Sequence, residues 1–428
     1  MTPFDLLLRR RFLPLFVTQF LGAFNGNLYK NATIVLILYR LGQDQLAGGK
    51  VLATLAAGLF VLPFFLFSAT AGQLADRHDK AAMIRLTKLL EIAAALVAAA
   101  ALGLGQAWLL LAAVFLLGLQ ATFFGPLKYG ILPDHLAPGE LLAANGLVEA
   151  GTFVAILAGT MLGSLTILGG GGVTLIQAVV VAAAVAGWAA SLAIPPAPAQ
   201  ARRMAVGINI FGQTWQLLRQ AAATPQLLPT MMGVSWFWLV GATYLTQFPA
   251  YAKDVLQAGS SVVTLFLAMF TIGISIGSLL CHRLLKGVVS LRLAPLGALG
   301  MALFGLDFVT AGTPFGSPGR LVEAVAFLAH PAAWRLLADL LLLSVCSGLY
   351  VVPLYALLQQ RADPAHRARV IAANNVLNAL FMTVTAAGAA GLLGAGFGIR
   401  DLLFGLALCN LAVTGLSYRQ SRRAAQAE

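Results

Sequence analysis

Gly72-Gln73-Leu74-Ala75-Asp76-Arg77-His78-Asp79-Lys80 is the stretch on which the fold turns. Apolar runs flank it on both sides, near residues 50–72 and 82–103. Each is close to the ~20 residues that an α-helix needs to cross the hydrocarbon core of a bilayer. The stretch therefore reads as a short charged loop between two membrane helices.

Outward from that loop, apolar runs bounded by charges and Gly/Pro clusters fall near 12–39, 50–72, 82–103, 106–128, 142–168 and 173–194. A second set falls near 226–252, 260–285, 291–313, 334–358, 368–395 and 400–418. Six and six predict an all-α membrane protein of 12 transmembrane helices. The expected division is two six-helix bundles, residues 1–194 and 226–428, joined by a cytoplasmic linker over 195–225. The linker opens with Pro195-Pro196-Ala197-Pro198 and carries Arg202, Arg203 and Arg219. It also holds an amphipathic stretch from Ile208 to Leu218 suited to lying on a membrane surface.

Composition agrees. Of 428 residues, 60% are apolar and 10% charged, whereas soluble chains carry about 25% charged residues; a soluble enzyme is excluded. The 44 glycines sit in apolar runs with alanine and leucine, as membrane helices use them. Cys281, Cys346 and Cys409 fall in or beside apolar runs with no CxxC spacing, so they read as packing or lipid-facing residues rather than a disulfide framework. The apolar run after Arg9-Arg10-Arg11 extends to about Tyr39, too long for the core of a signal peptide.

The net charge of +12 admits nucleic acid, acidic lipid or a topology signal as its cause. With the N-terminus placed inside, 20 of the 27 Lys and Arg residues fall on the cytoplasmic side. Six, namely Arg40, Lys50, Lys253, Arg320, Arg335 and Arg400, fall on the other. That bias is the positive-inside signature. It removes any need for a nucleic-acid partner and puts both termini in the cytoplasm. Lys30 is left alone inside the first span.

The halves also echo each other. Pro126-Leu127 and Asn145 in the first half match Pro353-Leu354 and Asn374 in the second, at spacings of 227 and 229 residues. Duplicated bundles of this kind place a substrate site between the halves near the membrane midplane, opened alternately to each side.

The loop at Gly72, with Asp76-Arg77 at the fourth position and Lys80 beyond, resembles the signature loop of the major facilitator superfamily. Its glycine permits close helix approach, its aspartate can meet a helix N-terminus, and Gly72, Asp76, Arg77 and Lys80 together are the expected conformational latch. Within that superfamily the chain is similar to the bacterial lysophospholipid transporters and to the transporter-like half of their acyltransferase fusions. Gly125-Pro126-Leu127-Lys128-Tyr129-Gly130-Ile131-Leu132, Ala144-Asn145-Gly146-Leu147-Val148-Glu149-Ala150 and Gln19-Phe20-Leu21-Gly22-Ala23-Phe24 carry this resemblance. It implies the major facilitator fold and movement of lyso-phosphatidylethanolamine and lyso-phosphatidylglycerol across the inner membrane for reacylation. It further implies an acyltransferase partner on the cytoplasmic side, a monomer, and no cofactor or metal. One position departs from the pattern. After Phe24 the family has an Asp-Asn pair, and this chain has Asn25-Gly26-Asn27, so Gly26 stands where the acid is expected.

Polar residues inside the spans are the candidate binding residues, since intramembrane ionisable groups mark function by default. In span 1, Phe20, Phe24, Asn27 and either Lys30 or Asn31 recur at helical spacing on one face. Lys30 either faces the cavity and attracts a lipid phosphate or snorkels to the interface as an anchor. In span 5, Asn145, Glu149 and Thr152 share a face. Glu149 is open to pairing with Lys30, to meeting an ethanolamine ammonium, to carrying a proton, or to a helix-packing bond. Gln120, Phe124 and Lys128 align in span 4, and Trp236 and Tyr244 in span 7 are candidates for an acyl-chain wall. Glu91 reads as an interfacial partner of Lys88, and Asn374, Asn375 and Asn378 as inter-helix hydrogen-bond glue.

Two other readings compete. A proton-coupled exporter of amphipathic drugs or small metabolites would use Glu149 as proton carrier. A lipid acyltransferase needs a histidine and an aspartate separated by four residues, and none of the five histidines has one.

Overall fold

The computed structural model describes residues 2–41, 48–202, 207, 209–222, 224, 227–316 and 320–427. Arg203 and Ile208 of the linker lie outside them. Among the described residues twelve helices have 18 residues or more. In chain order they are α1 Leu13–Leu36, α2 Gly48–Arg77, α3 Lys80–Leu104, α4 Ala107–Gly130, α5 Leu141–Thr166 and α6 Gly172–Leu192. The second set is α7 Leu228–Ala250, α8 Ser260–Leu284, α9 Ala294–Ala311, α10 Pro331–Arg361, α11 Arg367–Gly394 and α12 Ile399–Ala427. Ten of the twelve are long and apolar enough to cross a membrane; α1 and α7 are the two outside that set. The two long helices that open the halves, α1 and α7, both run on into a π-helical turn, at Ile37–Leu41 and Tyr251–Val255.

The helices outrun the apolar runs that announce them. α2 continues through Asp76 to Arg77, and α12 continues past Arg419, Arg422 and Arg423. Backbone hydrogen bonding does not stop where apolarity does. What stops it is local chemistry: the Asp79 carboxylate accepts from the Ala82 amide at 2.9 Å and caps α3. Gly105, at φ 65°, ends the same helix in the left-handed conformation that glycine adopts without strain.

Two compact units emerge from the packing. The first comprises 1–137, 154–228 and 358–379; the second comprises 138–153, 229–357 and 380–428. In the first unit α2 packs on α4, α3 on α4, and both α1 and α3 on α6. α3 shows why a bilayer suits it: Ala94, Ala95, Ala98 and Ala101 are buried, whereas Leu86, Leu89 and Leu96 are exposed. Small residues bring helices close and large apolar ones face lipid, the reverse of a soluble helix. A short helix, Ile210–Ala222, lies in the linker and packs on α2. In the second unit α9 packs on α12. Its core is aromatic, with Tyr244, Phe248, Phe266, Phe270 and Phe308 in mutual edge or tilted contact.

Candidate functional site

The half-buried face of α1 is the first place where chemistry gathers. Phe20, Phe24, Asn27, Lys30 and Asn31 all lie on it, while Asn25, Leu28, Tyr29 and Ala32 are buried against the rest of the first unit. The Lys30 ammonium donates to Asn27 Oδ1 at 3.1 Å and lies 5.1 Å from the centroid of the Phe60 ring on α2, a cation–π distance. Asn27 in turn donates to the Ala23 carbonyl at 2.9 Å, and Asn31 donates to Thr160 Oγ1 at 3.0 Å. Lys30 thus sits inside the first unit with one amide and one ring about its charge. Among the described residues no carboxylate lies within ion-pair distance of it. Gly26 is one turn earlier on the same helix; a Cβ there would meet only Phe60, at an ordinary 3.6 Å. Next to Phe60 along α2, Leu59 joins Trp108, Leu111, Ala112, Phe115 and Leu116 in lining an apolar groove of about 470 Å³.

A second group lies deeper in the same unit. Lys88 donates to Glu91 Oε2 at 2.6 Å, and Asn25 donates to Glu91 Oε1 at 3.2 Å. The side chains of Lys88 and Glu91 are 0% and 1% exposed, so the pair spaced i, i+3 on α3 is internal, not interfacial as its sequence neighbourhood suggests. The cause is the cover: α1 and α6 close over α3, and a Cβ at Gly22 would come within 2.8 Å of the Lys88 ammonium. The Phe124 ring of α4 adds a cation–π face at 5.3 Å.

The third group forms around the loop between α2 and α3. Asp76 accepts from the Ala368 amide at 2.9 Å, from the Arg369 amide at 3.2 Å and from Arg369 Nε at 3.2 Å. These amides have no acceptor within their own helix, lying at the N-terminus of α11, where a negative charge is favoured. Gly72 makes the approach possible: a Cβ there would stand 2.7 Å from Ala372 Cβ and 3.0 Å from Arg369 Cα. Lys80 pairs with Asp134 at 2.8 Å, and Asp134 also accepts from Arg367 at 3.1 Å. The start of the linker is tied in too, with the Ala197 amide donating to Asp79 at 2.9 Å and the Ala201 amide to the Asp76 carbonyl at 3.0 Å. Arg77 is exposed and stays outside this network. In the turn before α11, the Ala365 amide and then His366 hold the Asp363 carboxyl below its ordinary range. Asp134, Arg367 and Arg369 are the members that sequence reading did not assign to the latch.

The remaining candidates scatter. In the second unit, Asn145 and Glu149 are fully buried on α5, and Asn145 donates to the Leu141 carbonyl at 2.8 Å. Gln120 is buried on α4, and Lys128 lies over the neighbouring Tyr129 ring at 4.7 Å. Trp236 donates to Asn410 at 2.7 Å. Tyr244 is enclosed in the aromatic core rather than presented to a cavity, because Phe248, Phe270 and Phe308 surround its ring. Asn374 donates to Asn378 within α11 at 3.4 Å, a bond along one helix rather than between two. Among the described residues no cluster of His, Cys, Asp and Glu has the geometry of a metal site.

A family model described as Major Facilitator Superfamily matches residues 15–386. A protein named lysophospholipid transporter LplT from Serratia proteamaculans is 30% identical over 366 residues, covering 83% of this chain and 81% of that one. Its namesake from Salmonella typhimurium is 29% identical over 360 residues, covering 82% and 79%. Among solved structures, the human organic anion transporter MFSD10 superposes with a TM-score of 0.75 at 14% identity, covering 96% of this chain and 99% of that one. The E. coli fucose:proton symporter FucP does so with a TM-score of 0.69 at 14% identity, covering 96% and 100%.

Proposed function

The chain belongs to the lysophospholipid transporter family of the Major Facilitator Superfamily, and on that premise we propose that it carries lysophospholipids across a bacterial inner membrane to the cytoplasmic leaflet by alternating access. Lyso-phosphatidylethanolamine and lyso-phosphatidylglycerol are the proposed substrates, delivered for reacylation by an acyltransferase on the cytoplasmic side. The proposed organisation is two six-helix bundles, 1–194 and 226–428, with 195–225 as the linker and both termini cytoplasmic.

The observation that carries this reading is Lys30, an ammonium inside a membrane unit with Asn27 and Phe60 as its neighbours. A charge placed there is costly unless something answers it, and a lipid phosphate does so. Phe24, Asn27 and Lys30 form the proposed head-group cradle, with Gln120, Lys128, Asn145, Glu149 and Trp236 as further candidate contacts. The acyl chain needs an apolar wall, and the α2–α4 groove lined by Leu59, Trp108 and Phe115 is of that kind. Gly72, Asp76 and Lys80, with Asp134, Arg367 and Arg369, are the proposed latch that holds the start of α11 in one of the alternating states.

The test is uptake of labelled lyso-phosphatidylethanolamine by spheroplasts that do or do not produce the protein. Uptake should depend on the protein and fall severalfold in Lys30→Ala. Protein-dependent uptake that Lys30→Ala leaves unchanged would return Lys30 to an interfacial anchor.

A further inference from the structure

Among the described residues, the basic side chains buried in the first unit are answered by carboxylates: Lys80 and Arg367 by Asp134, and Lys88 by Glu91. Half-buried Lys30 meets, among the described residues, the Asn27 amide oxygen and the Phe60 ring, both uncharged. One helical turn before it, where an acidic side chain would lie i, i+4 from the lysine, the chain has Gly26. The packing leaves room for a Cβ there, which would make ordinary contact with Phe60 at 3.6 Å. The cradle of Phe24, Asn27 and Lys30 therefore carries a net charge of one with no counter-charge among its own members, and an anionic ligand supplies one.

Building on the transport reading, we propose that Lys30, left without a counter-ion by Gly26, makes the site selective for head groups of net negative charge over zwitterionic ones. A lysophospholipid whose only head-group charge is its phosphate neutralises Lys30 on arrival. A zwitterionic head group brings the same phosphate together with an ammonium that must then lie near Lys30, and like charges at that distance repel in a medium of low dielectric. The Asn27 oxygen is already engaged by Lys30, so it offers the incoming ammonium little. The recognised chemistry is a phosphate ester anion; the acyl chain is what separates a lipid source from a free phosphate.

Protein-dependent transport into liposomes of lyso-phosphatidylglycerol and lyso-phosphatidylethanolamine with matched acyl chains tests this, with sn-glycerol 3-phosphate as a chain-free competitor. The expected result is at least tenfold preference for the anionic lysolipid, weak competition by glycerol phosphate, and loss of the preference in both Gly26→Asp and Lys30→Gln. Lys30→Arg, which keeps the charge, should keep the preference and guards against a variant that merely misfolds. Equal transport of the two lysolipids by the unaltered protein overturns the selectivity while leaving the transport reading intact. A preference that survives both Gly26→Asp and Lys30→Gln overturns the assignment to this site. Glycerol phosphate competing as strongly as lysolipid assigns the cradle to a free phosphate ester and overturns the lipid selectivity. Movement of neither lysolipid overturns both.

Discussion

Lys88 and Glu91 show at the scale of single residues what spacing conveys and what it withholds. Positions i and i+3 on a helix announce a pair, and the pair forms at 2.6 Å. Its burial depends on α1 and α6 closing over α3, which no local pattern in 85–91 encodes. A charge pair removed from water is held by mutual attraction and by extra partners such as Asn25, and removing one member leaves the other stranded. Glu91→Gln should therefore destabilise the purified protein by about 3 to 5 kcal/mol, read as a fall in thermal or denaturant midpoint. The double change Lys88→Met with Glu91→Met should recover most of that loss. A Glu91→Gln protein as stable as the unaltered one would mean that the pair contributes nothing to stability. Lys30 contrasts with both: the sequence puts it in the first apolar run, but that no carboxylate among the described residues pairs with it became evident only from the surrounding helices.

Among elements, the helices were the most legible feature. Each of the 12 apolar runs corresponds to one long helix, because a run near 20 residues between charges leaves the backbone no other way to satisfy its polar groups in lipid. The joints were less legible. Asp76 at the N-terminus of α11 joins residues 292 and 293 positions apart, and Asp134 to Arg367 spans 233. No periodicity connects such partners; only the short distance between α2 and α11 that Gly72 permits brings them together. Gly72→Val should push α11 away from α2, and Asp76→Asn should weaken the grip on its first turn by about 1 kcal/mol or more. Hydrogen exchange at the Ala368 and Arg369 amides should quicken in both variants. Unchanged exchange would detach the loop from α11. The linker helix makes a separate prediction. Phe211 and Trp215, one turn apart, are 75% and 71% exposed, as a helix seated in the membrane interface requires. Brominated lipids should quench the fluorescence component that Trp215→Phe removes, and a component blind to them would place that face in water.

For the whole molecule, composition and the alternation of basic loops identified a multi-pass membrane protein. The family's sequence blocks narrowed it to one kind of transporter, which relatives at about 30% identity over four-fifths of the chain support. The placement of Tyr244 was not legible, because an aromatic residue at helical spacing serves a core and a ligand wall equally well. Its ring is enclosed by Phe248, Phe270 and Phe308, and only the three-dimensional packing decides that. The activity proposed for the chain is movement of a lysophospholipid from one leaflet to the other. Back-extraction by albumin from liposomes containing the purified protein measures that movement most directly. A lysophospholipid added outside should become inaccessible to albumin faster in protein-containing liposomes than in protein-free ones, and the difference should shrink in Lys30→Ala. Equal rates with and without correctly folded protein would overturn the proposed transport.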